Sequence, residues 1–173
     1  MAGIAGGDKL ARVLADMGRG VEGSPYVRVG FLEGATYPTT DTKTLRAEYK
    51  ARKRKRIKGA VAGEVGGLPV ATVAAWNEFG TEHSPPRPFF RTMIAAKAPT
   101  WGKDTAVLIA QDNFDAKKAL GQMGERIARQ LRKSIVELTS PPLSPITIRR
   151  KGFSKPLVDT GHMLNSVDYE VKE

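Results

Sequence analysis

The sequence predicts an α+β protein: a small antiparallel β-sheet packed against a long amphipathic helix, with additional short helices and a flexible basic insertion. Three observations lead there: two segments that alternate apolar and polar residues, one long segment with a helical apolar period, and a basic stretch without any period. A chain of 173 residues suits one domain with its own core. We therefore expect a single domain over residues 1–173, with the insertion at about 35–67.

The two predicted strands lie far apart in the sequence. Residues 26–32 alternate Val and Phe with Arg and Gly, and residues 166–171 alternate Val and Tyr with Asp and Glu. Each pattern is typical of a strand with one buried face. If the two strands pair, Arg28 can contact Asp168 or Glu170 across the sheet, a contact worth about 0.2–1 kcal/mol.

The helices are predicted from apolar residues that recur every three or four positions. The clearest case is the segment 115–138, which we predict to be the long amphipathic helix. Its apolar stripe consists of Leu120, Met123, Ile127, Leu131, Ile135 and Leu138. Shorter helical segments are predicted at 8–22, at 70–80 with Gly80 as its stop, directly after Pro88, at 101–111 and, as a single turn, at 161–166.

The positive charge of the chain is concentrated in one segment. Residues 43–58 hold nine Lys or Arg and one Glu, a local charge of +8 out of the total of +10. No apolar period survives between 35 and 68, so we interpret this region as an insertion with a mobile tip. Its basic side chains could contact nucleic-acid phosphates, or equally be solvated or dock on an acidic protein partner. The residues concerned are Lys50, Arg52, Lys53, Arg54, Lys55, Arg56 and Lys58.

The triplet Asp159-Thr160-Gly161 is the sequence that an aspartic protease places at its catalytic turn. Such a site needs a β-turn framework and a second Asp that shares one proton, and only twelve residues follow Gly161. The structural alternative is that Asp159 or Thr160 accepts a backbone N–H at the start of the following turn, while Gly161 permits tight entry. We therefore predict a structural turn and no protease.

Other chemistry is scarce in this sequence. There is no cysteine, and neither His83 nor His162 has a partner at helical spacing, so we expect no metal site, no cofactor and no enzyme activity. Glu78 and Glu82 could imitate a carboxylate pair, but no base, nucleophile or metal ligand accompanies them, so we interpret both as surface or interface carboxylates. No apolar run approaches the roughly 20 residues of a membrane span.

The stretch "WNEFGTEHSPPRPFFRTMI", residues 76–94, is the most specific in the chain. It predicts a helix that ends at Phe79-Gly80, a loop stiffened by three prolines that aims Arg87, and a second helix opened by two Phe residues. A stiff loop flanked by aromatic and Arg side chains suits a protein–protein contact, because little ordering entropy is lost on binding. The alternative is that the Phe residues fill the core. The predicted assembly interface consists of Glu78, Phe79, Gly80, Thr81, Arg87, Pro88, Phe89, Phe90 and Arg91.

The pattern "NEFGT…PPRPFFR", combined with "LVDTGHMLNSVDYEV" near the C-terminus, resembles the tail-completion or neck proteins of long-tailed bacteriophages, which join head and tail. The resemblance covers roughly residues 25–34 and 68–173. In many relatives the DTG-containing segment precedes the EFGT segment, whereas here it follows, so the chain is similar to a subgroup with the reversed order. The basic insertion is not part of the family pattern.

The resemblance implies a non-enzymatic structural virion protein that forms a homo-oligomeric ring, usually a hexamer, at the head–tail interface. Its implied partners are copies of itself, head connector or adaptor proteins, and the tail tube or tail terminator protein, with no membrane. Assembly in the host cytoplasm and a final place in the neck or tail of the virion follow. Genome DNA would pass through the lumen, where six copies of the +8 segment would place a charge of about +48. Such a ring could hold DNA by non-specific phosphate contacts or seat on acidic neighbouring rings.

The residues themselves leave a second function open. A nucleic-acid-binding accessory protein could act through segment 43–58 and use the rest of the chain as a scaffold. Salt-sensitive DNA binding by the monomer would favour this alternative, and ring formation with little free DNA binding would favour the neck protein.

Overall fold

The computed structural model describes residues 12, 15, 25–37 and 67–172. Arg12 and Ala15 are helical, and the rest of the helix predicted at 8–22 lies outside the described residues. The same is true of the basic segment 43–58.

The described residues form a small α+β fold, which confirms the predicted class. The two strands form a two-stranded antiparallel sheet, and the helices between residues 70 and 165 lie between its strands in sequence. In chain order the elements are β1 (Tyr26–Phe31), α1 (Val70–Phe79), α2 (Phe89–Gln111), α3 (Ala116–Glu137), α4 (Pro145–Lys151), α5 (His162–Asn165) and β2 (Val167–Lys172).

The strands pair over their full length, with Tyr26 opposite Lys172 at one end and Phe31 opposite Val167 at the other. Arg28 lies opposite Glu170, and its Nη1 is 3.2 Å from Glu170 Oε1. Of the two cross-strand contacts that the sequence allows for Arg28, the register therefore selects Glu170.

The long helix α3 is the centre of the fold. It begins at Ala116, and the side chain of the preceding residue, Asp115, accepts the Lys118 N–H at 2.9 Å and so satisfies one free donor of the first turn. The predicted apolar stripe faces inward: Met123, Leu131 and Ile135 are at most 2% exposed. The core therefore lies between this stripe, the sheet and α2.

The sheet comes close to α3 at Gly124. A β-carbon added there would lie 2.6 Å from Tyr169 Cδ2 and 2.7 Å from Val27 Cγ2, shorter than any ordinary carbon–carbon contact. Because one of these side chains belongs to β2 and the other to β1, both strands rest on the same position of the helix. Glycine at this position sets the distance between helix and sheet.

Helix α2 differs from the prediction. The sequence predicted two helical pieces, one directly after Pro88 and one at 101–111, but the structure has one continuous helix with Pro99 inside it. Pro99 has no N–H to donate within the helix. The following turn is held from outside, because Trp101 Nε1 donates to Gln130 Oε1 on α3 at 3.0 Å. Packing against α3 outweighs the local tendency of proline to end the helix.

Candidate assembly surface

The predicted interface lies at the junction of α1 and α2, and the junction depends on Gly80. Helix α1 ends at Phe79, and Gly80 has φ +82°, in the half of conformational space that favours glycine. A β-carbon there would lie 2.9 Å from Ser84 O and from Pro86 N. The loop after the helix therefore folds back closely over Gly80.

Glu78 is a buried carboxylate, only 5% exposed, and it holds the start of α2. Its Oε2 accepts the Phe90 N–H at 2.9 Å, and its Oε1 accepts the Arg91 N–H at 3.1 Å and the Arg91 Nε–H at 2.8 Å. No side chain at Pro88, the residue that precedes α2, caps this helix. Glu78 therefore satisfies free N–H groups of the first turn from a neighbouring helix and places a negative charge at the positive end of the helix dipole.

This arrangement differs from the expected surface or interface carboxylate at Glu78. The interaction is reciprocal, because Arg91 Nη2 also donates to the Glu78 carbonyl at 3.1 Å. The pair joins α1 and α2 into one rigid corner, while the Arg91 side chain remains 55% exposed.

Arg87 lies inside the corner and not on its surface. It is 7% exposed, its Nε donates to the Pro141 carbonyl at 3.4 Å, and its backbone N–H donates to the Asn77 carbonyl at 2.7 Å. Burial lowers the pKa of the Arg87 guanidinium. Phe89 is 1% exposed in the core and Phe90 is half-buried, so the sequence alternative in which Phe fills the core describes Phe89.

The outer part of the corner is apolar. Phe79 is 66% exposed, and the guanidinium carbon of Arg91 lies 4.9 Å from the centre of its ring. Trp76 is 45% exposed and lies one helical turn earlier on the same side of α1. Residues 81–86 are all exposed and, with Phe79 and Gly80, line a shallow pocket. We call Trp76, Phe79, residues 81–86 and Arg91 the Phe79 face.

Six of the nine residues predicted for the interface fall into two groups. Phe79, Thr81 and Arg91 lie on the Phe79 face, whereas Glu78, Arg87 and Phe89 are buried supports. Trp76 was missed by the sequence analysis, although its spacing of three residues from Phe79 within one helix was a usable signal. The remaining predicted residues, Gly80, Pro88 and Phe90, are half-buried between the two groups.

The DTG triplet forms the entry to α5. Gly161 has φ +78°, and Thr160 Oγ1 accepts the His162 N–H at 3.3 Å. Of the two residues proposed to cap the turn, Thr160 makes this contact. Asp159 instead influences the ionisation of Tyr37. Burial is the main reason that the pKa of the Tyr37 hydroxyl lies above its usual 10.0, and the negative charge of Asp159 raises this pKa further.

The same turn contacts the chain directly before the basic insertion, and that part of the chain is bonded to the part directly after it. His162 Nε2 lies 2.9 Å from Thr36 O, and its ring centre is 4.7 Å from that of Tyr37. Tyr37 donates its N–H to Leu68 O at 2.9 Å and accepts the Gly67 N–H at 2.8 Å. The two described residues that flank segment 38–66, Tyr37 and Gly67, are therefore hydrogen-bonded to each other, and we call this contact the closed base of the segment. The basic residues predicted to contact DNA or an acidic partner lie within that segment, outside the described residues.

Within the described ranges, the remaining surface chemistry is modest. No group of three or more His, Cys, Asp or Glu side chains in the described part of the chain could hold a metal ion. Two basic residues of α3 are paired with acidic neighbours at the surface: Arg126 lies 3.2 Å from Asp104 and Arg129 lies 2.6 Å from Glu125. No described helix has the length and apolar character required for a membrane crossing.

Comparisons with known proteins identify no relative of this chain. No protein-family model matches it, and neither the curated proteins nor the solved structures contain a significant match.

Proposed function

We propose that this chain is a non-enzymatic structural protein of a phage neck or tail, which forms a homo-oligomeric ring, usually a hexamer, at the head–tail interface. The observation that carries the proposal is the rigid corner between α1 and α2, which presents the Phe79 face to the outside. The motifs that resemble the tail-completion and neck family, "NEFGT" and "PPRPFFR", are the sequences that build this corner.

The corner is suited to assembly because its outer side chains need little ordering on contact. Phe79 is fixed beside Arg91, and Arg91 is fixed by Glu78, so the face keeps its shape in the free chain. Preorganised aromatic and Arg side chains contribute strongly to protein interfaces, since burying them costs little conformational entropy. In a ring, each copy would place this face against the next copy or against the adjoining ring.

In this proposal the remaining partners are the head connector or adaptor proteins on one side and the tail tube or tail terminator protein on the other. The basic segment 43–58 would extend towards the DNA path from the closed base formed by Tyr37, Gly67 and Leu68. Its contacts with genome DNA would be non-specific and dependent on salt.

Ring formation can be tested with a double variant of the Phe79 face. Trp76→Ser with Phe79→Ser removes the two exposed aromatic side chains, and Val107→Ser is the matched control, because Val107 is 48% exposed on a distant part of α2. We expect native mass spectrometry and negative-stain images to show rings for the unmodified chain and the control, and monomers for the double variant. Rings that survive the double substitution, or a chain that never forms rings, would contradict the proposed role of this face.

The nucleic-acid-binding alternative can be tested separately through the insertion. Replacing residues 40–64 by a short Gly-Ser linker leaves the paired base intact, so the described fold should persist. A ring protein should still assemble after this deletion. A DNA-binding accessory protein should, before the deletion, bind DNA as a monomer with affinity that falls steeply with salt, and should lose this binding afterwards.

A further inference from the structure

Arg91 has one edge of its guanidinium group left for a contact outside its own chain. Its Nε donates to Glu78 Oε1 at 2.8 Å and its Nη2 donates to the Glu78 carbonyl at 3.1 Å, so the edge between these two nitrogens is occupied. The Phe79 ring covers one face of the group, with its centre 4.9 Å from the guanidinium carbon. The edge between Nη1 and Nη2 remains, and no acceptor among the described residues meets Nη1. Two parallel N–H groups of this kind match the two oxygens of a carboxylate.

The carboxylate of Asp159 is likewise unused inside the described part of the chain. In the DTG triplet, Thr160 accepts the His162 N–H and Gly161 supplies the positive φ of the turn, while the Asp159 side chain is exposed. No hydrogen bond or ion pair among the described residues involves its oxygens. A charged group that the fold neither pairs nor buries is available to a partner.

Asp159 differs in this respect from most carboxylates of the described residues. Apart from Glu82, all the others pair with a Lys or Arg side chain or accept a backbone N–H. Glu82 lies on the Phe79 face itself, as Arg91 does, so it does not belong to a surface that could receive this face. Within the described ranges, Asp159 is therefore the carboxylate best placed to meet Arg91 of another copy.

Arg91 and Asp159 lie at opposite ends of α1. The Phe79 face lies at the last turn of this helix. At its start, Pro69 pairs with Thr36, whose carbonyl lies 2.9 Å from Nε2 of His162, three residues after Asp159. The helix has ten residues, which gives a length of about 15 Å. A closed ring needs two different surfaces on each copy, one towards the preceding copy and one towards the next, and the two ends of α1 supply them.

We propose that, in the ring, the open edge of Arg91 on one copy binds the Asp159 carboxylate of the adjacent copy, so that the copies join head to tail along α1. This contact rests on the proposed ring and names what would hold neighbouring copies together. The apolar groups agree with it, because Phe153 is 39% exposed close to Asp159: Lys151 Nζ lies 4.9 Å from the centre of the Phe153 ring and donates to the Val158 carbonyl at 2.6 Å. Each surface therefore combines an exposed aromatic ring with a charge, and the two charges are opposite.

A double-mutant cycle on ring assembly tests the contact. Arg91→Lys keeps the positive charge beside Glu78 but loses the planar edge, and Asp159→Asn removes the negative charge. In sedimentation velocity of the full chain, each substitution should raise the protein concentration needed for half assembly at least about tenfold. The double variant should need no more than about threefold more protein than the worse single variant, because both substitutions remove the same contact.

Coupling between these two sites reports a contact between copies, because sites this far apart within one copy contribute independently. Glu125→Gln is the control for Asp159→Asn, since Glu125 is 57% exposed on α3, and its effect should simply multiply with that of Arg91→Lys. If the effects of Arg91→Lys and Asp159→Asn also multiply, the contact is overturned while the ring stands. If the unmodified chain never forms rings, the proposed function fails and the contact fails with it.

Cross-linking locates the contact independently of these charges. The chain has no cysteine, so Thr81→Cys on the Phe79 face and Thr160→Cys next to Asp159 introduce the only thiols. A short bismaleimide should link the double variant into a ladder that ends at the closed ring, whereas either single variant should give no linked species. Rings that yield no ladder, or linked pairs from a single variant, would overturn the head-to-tail contact.

Discussion

Gly124 offers a sharp test of how the sheet sits on α3, through the substitution Gly124→Ala. In a helix interior, Ala is ordinarily more stable than Gly by about 1 kcal/mol. At this position the new methyl group would approach Tyr169 Cδ2 to 2.6 Å and Val27 Cγ2 to 2.7 Å. Both side chains are fixed by the strands, so relief requires the sheet to move away from the helix. Overpacking of this kind costs about 1–3 kcal/mol.

The control is Gly121→Ala, one turn earlier on the same helix. A β-carbon added at Gly121 meets no atom within 4 Å, so only the gain in helix propensity remains. The propensity term cancels between the two variants. The difference between their free energies of unfolding should therefore equal the packing cost alone, about 1–3 kcal/mol, with Gly124→Ala the less stable.

The assay is urea unfolding of the full chain, followed by circular dichroism. We expect the Gly121 variant to be as stable as the unmodified chain or up to about 1 kcal/mol more stable, with the same dependence on urea. If Gly124→Ala were stabilised to the same degree as Gly121→Ala, the helix and the sheet would not be in contact at this residue. The described packing of β1 and β2 on α3 would then be wrong.

Three further predictions concern single side chains. Glu78→Ala should lower the free energy of unfolding in urea by about 2–4 kcal/mol, because buried N–H donors at the start of α2 lose their acceptor. The control is Glu82→Ala, which should change stability by less than about 0.5 kcal/mol because the Glu82 side chain is 89% exposed. Equal effects of the two substitutions would contradict the capping role of Glu78. Because the pKa of Tyr37 is raised in the folded state, the unfolded chain loses this proton first, so stability should fall as pH rises above about 10, and Tyr37→Phe should reduce that fall. Asp159→Asn should lower the pKa of Tyr37 in an ultraviolet titration; an unchanged value would place the charge elsewhere. Lys151→Met should lower the free energy of unfolding by about 1.5–3 kcal/mol, because Lys151 Nζ donates to the carbonyls of residues 155, 156 and 158. An unchanged midpoint of urea unfolding would show that water can satisfy these carbonyls in place of the ammonium group.

Much of the fold could be predicted from local patterns in the sequence. The strands, the long helix and the end of α1 at Gly80 were all visible, because apolar periodicity and glycine stops are properties of neighbouring residues. The continuous helix α2 was not predicted, because Pro99 is a local break signal and the contact that overrides it, Trp101 with Gln130, spans 29 residues.

The candidate site shows the same division. The segment around Phe79 was recognised from its aromatic residues, its prolines and its Arg residues, but the sequence could not separate the exposed side chains from their supports. Glu78 and Glu82 are both carboxylates four residues apart, yet one is 5% exposed and the other 89%. The difference arises because the first turn of α2 lies against Glu78, and only the tertiary arrangement brings that turn there.

The sequence by itself determined the two strands, the long helix α3 and the end of α1, where the charge is concentrated and which stretch could face a partner. These features follow from hydrophobic period, backbone preference and composition, which act over a few residues. Only the tertiary structure decided that Glu78 caps a helix, that both strands pack against α3 at Gly124, and that the residues flanking the basic insertion meet at Tyr37. Each of these depends on groups distant in sequence, whose approach is set by the packing of the whole core.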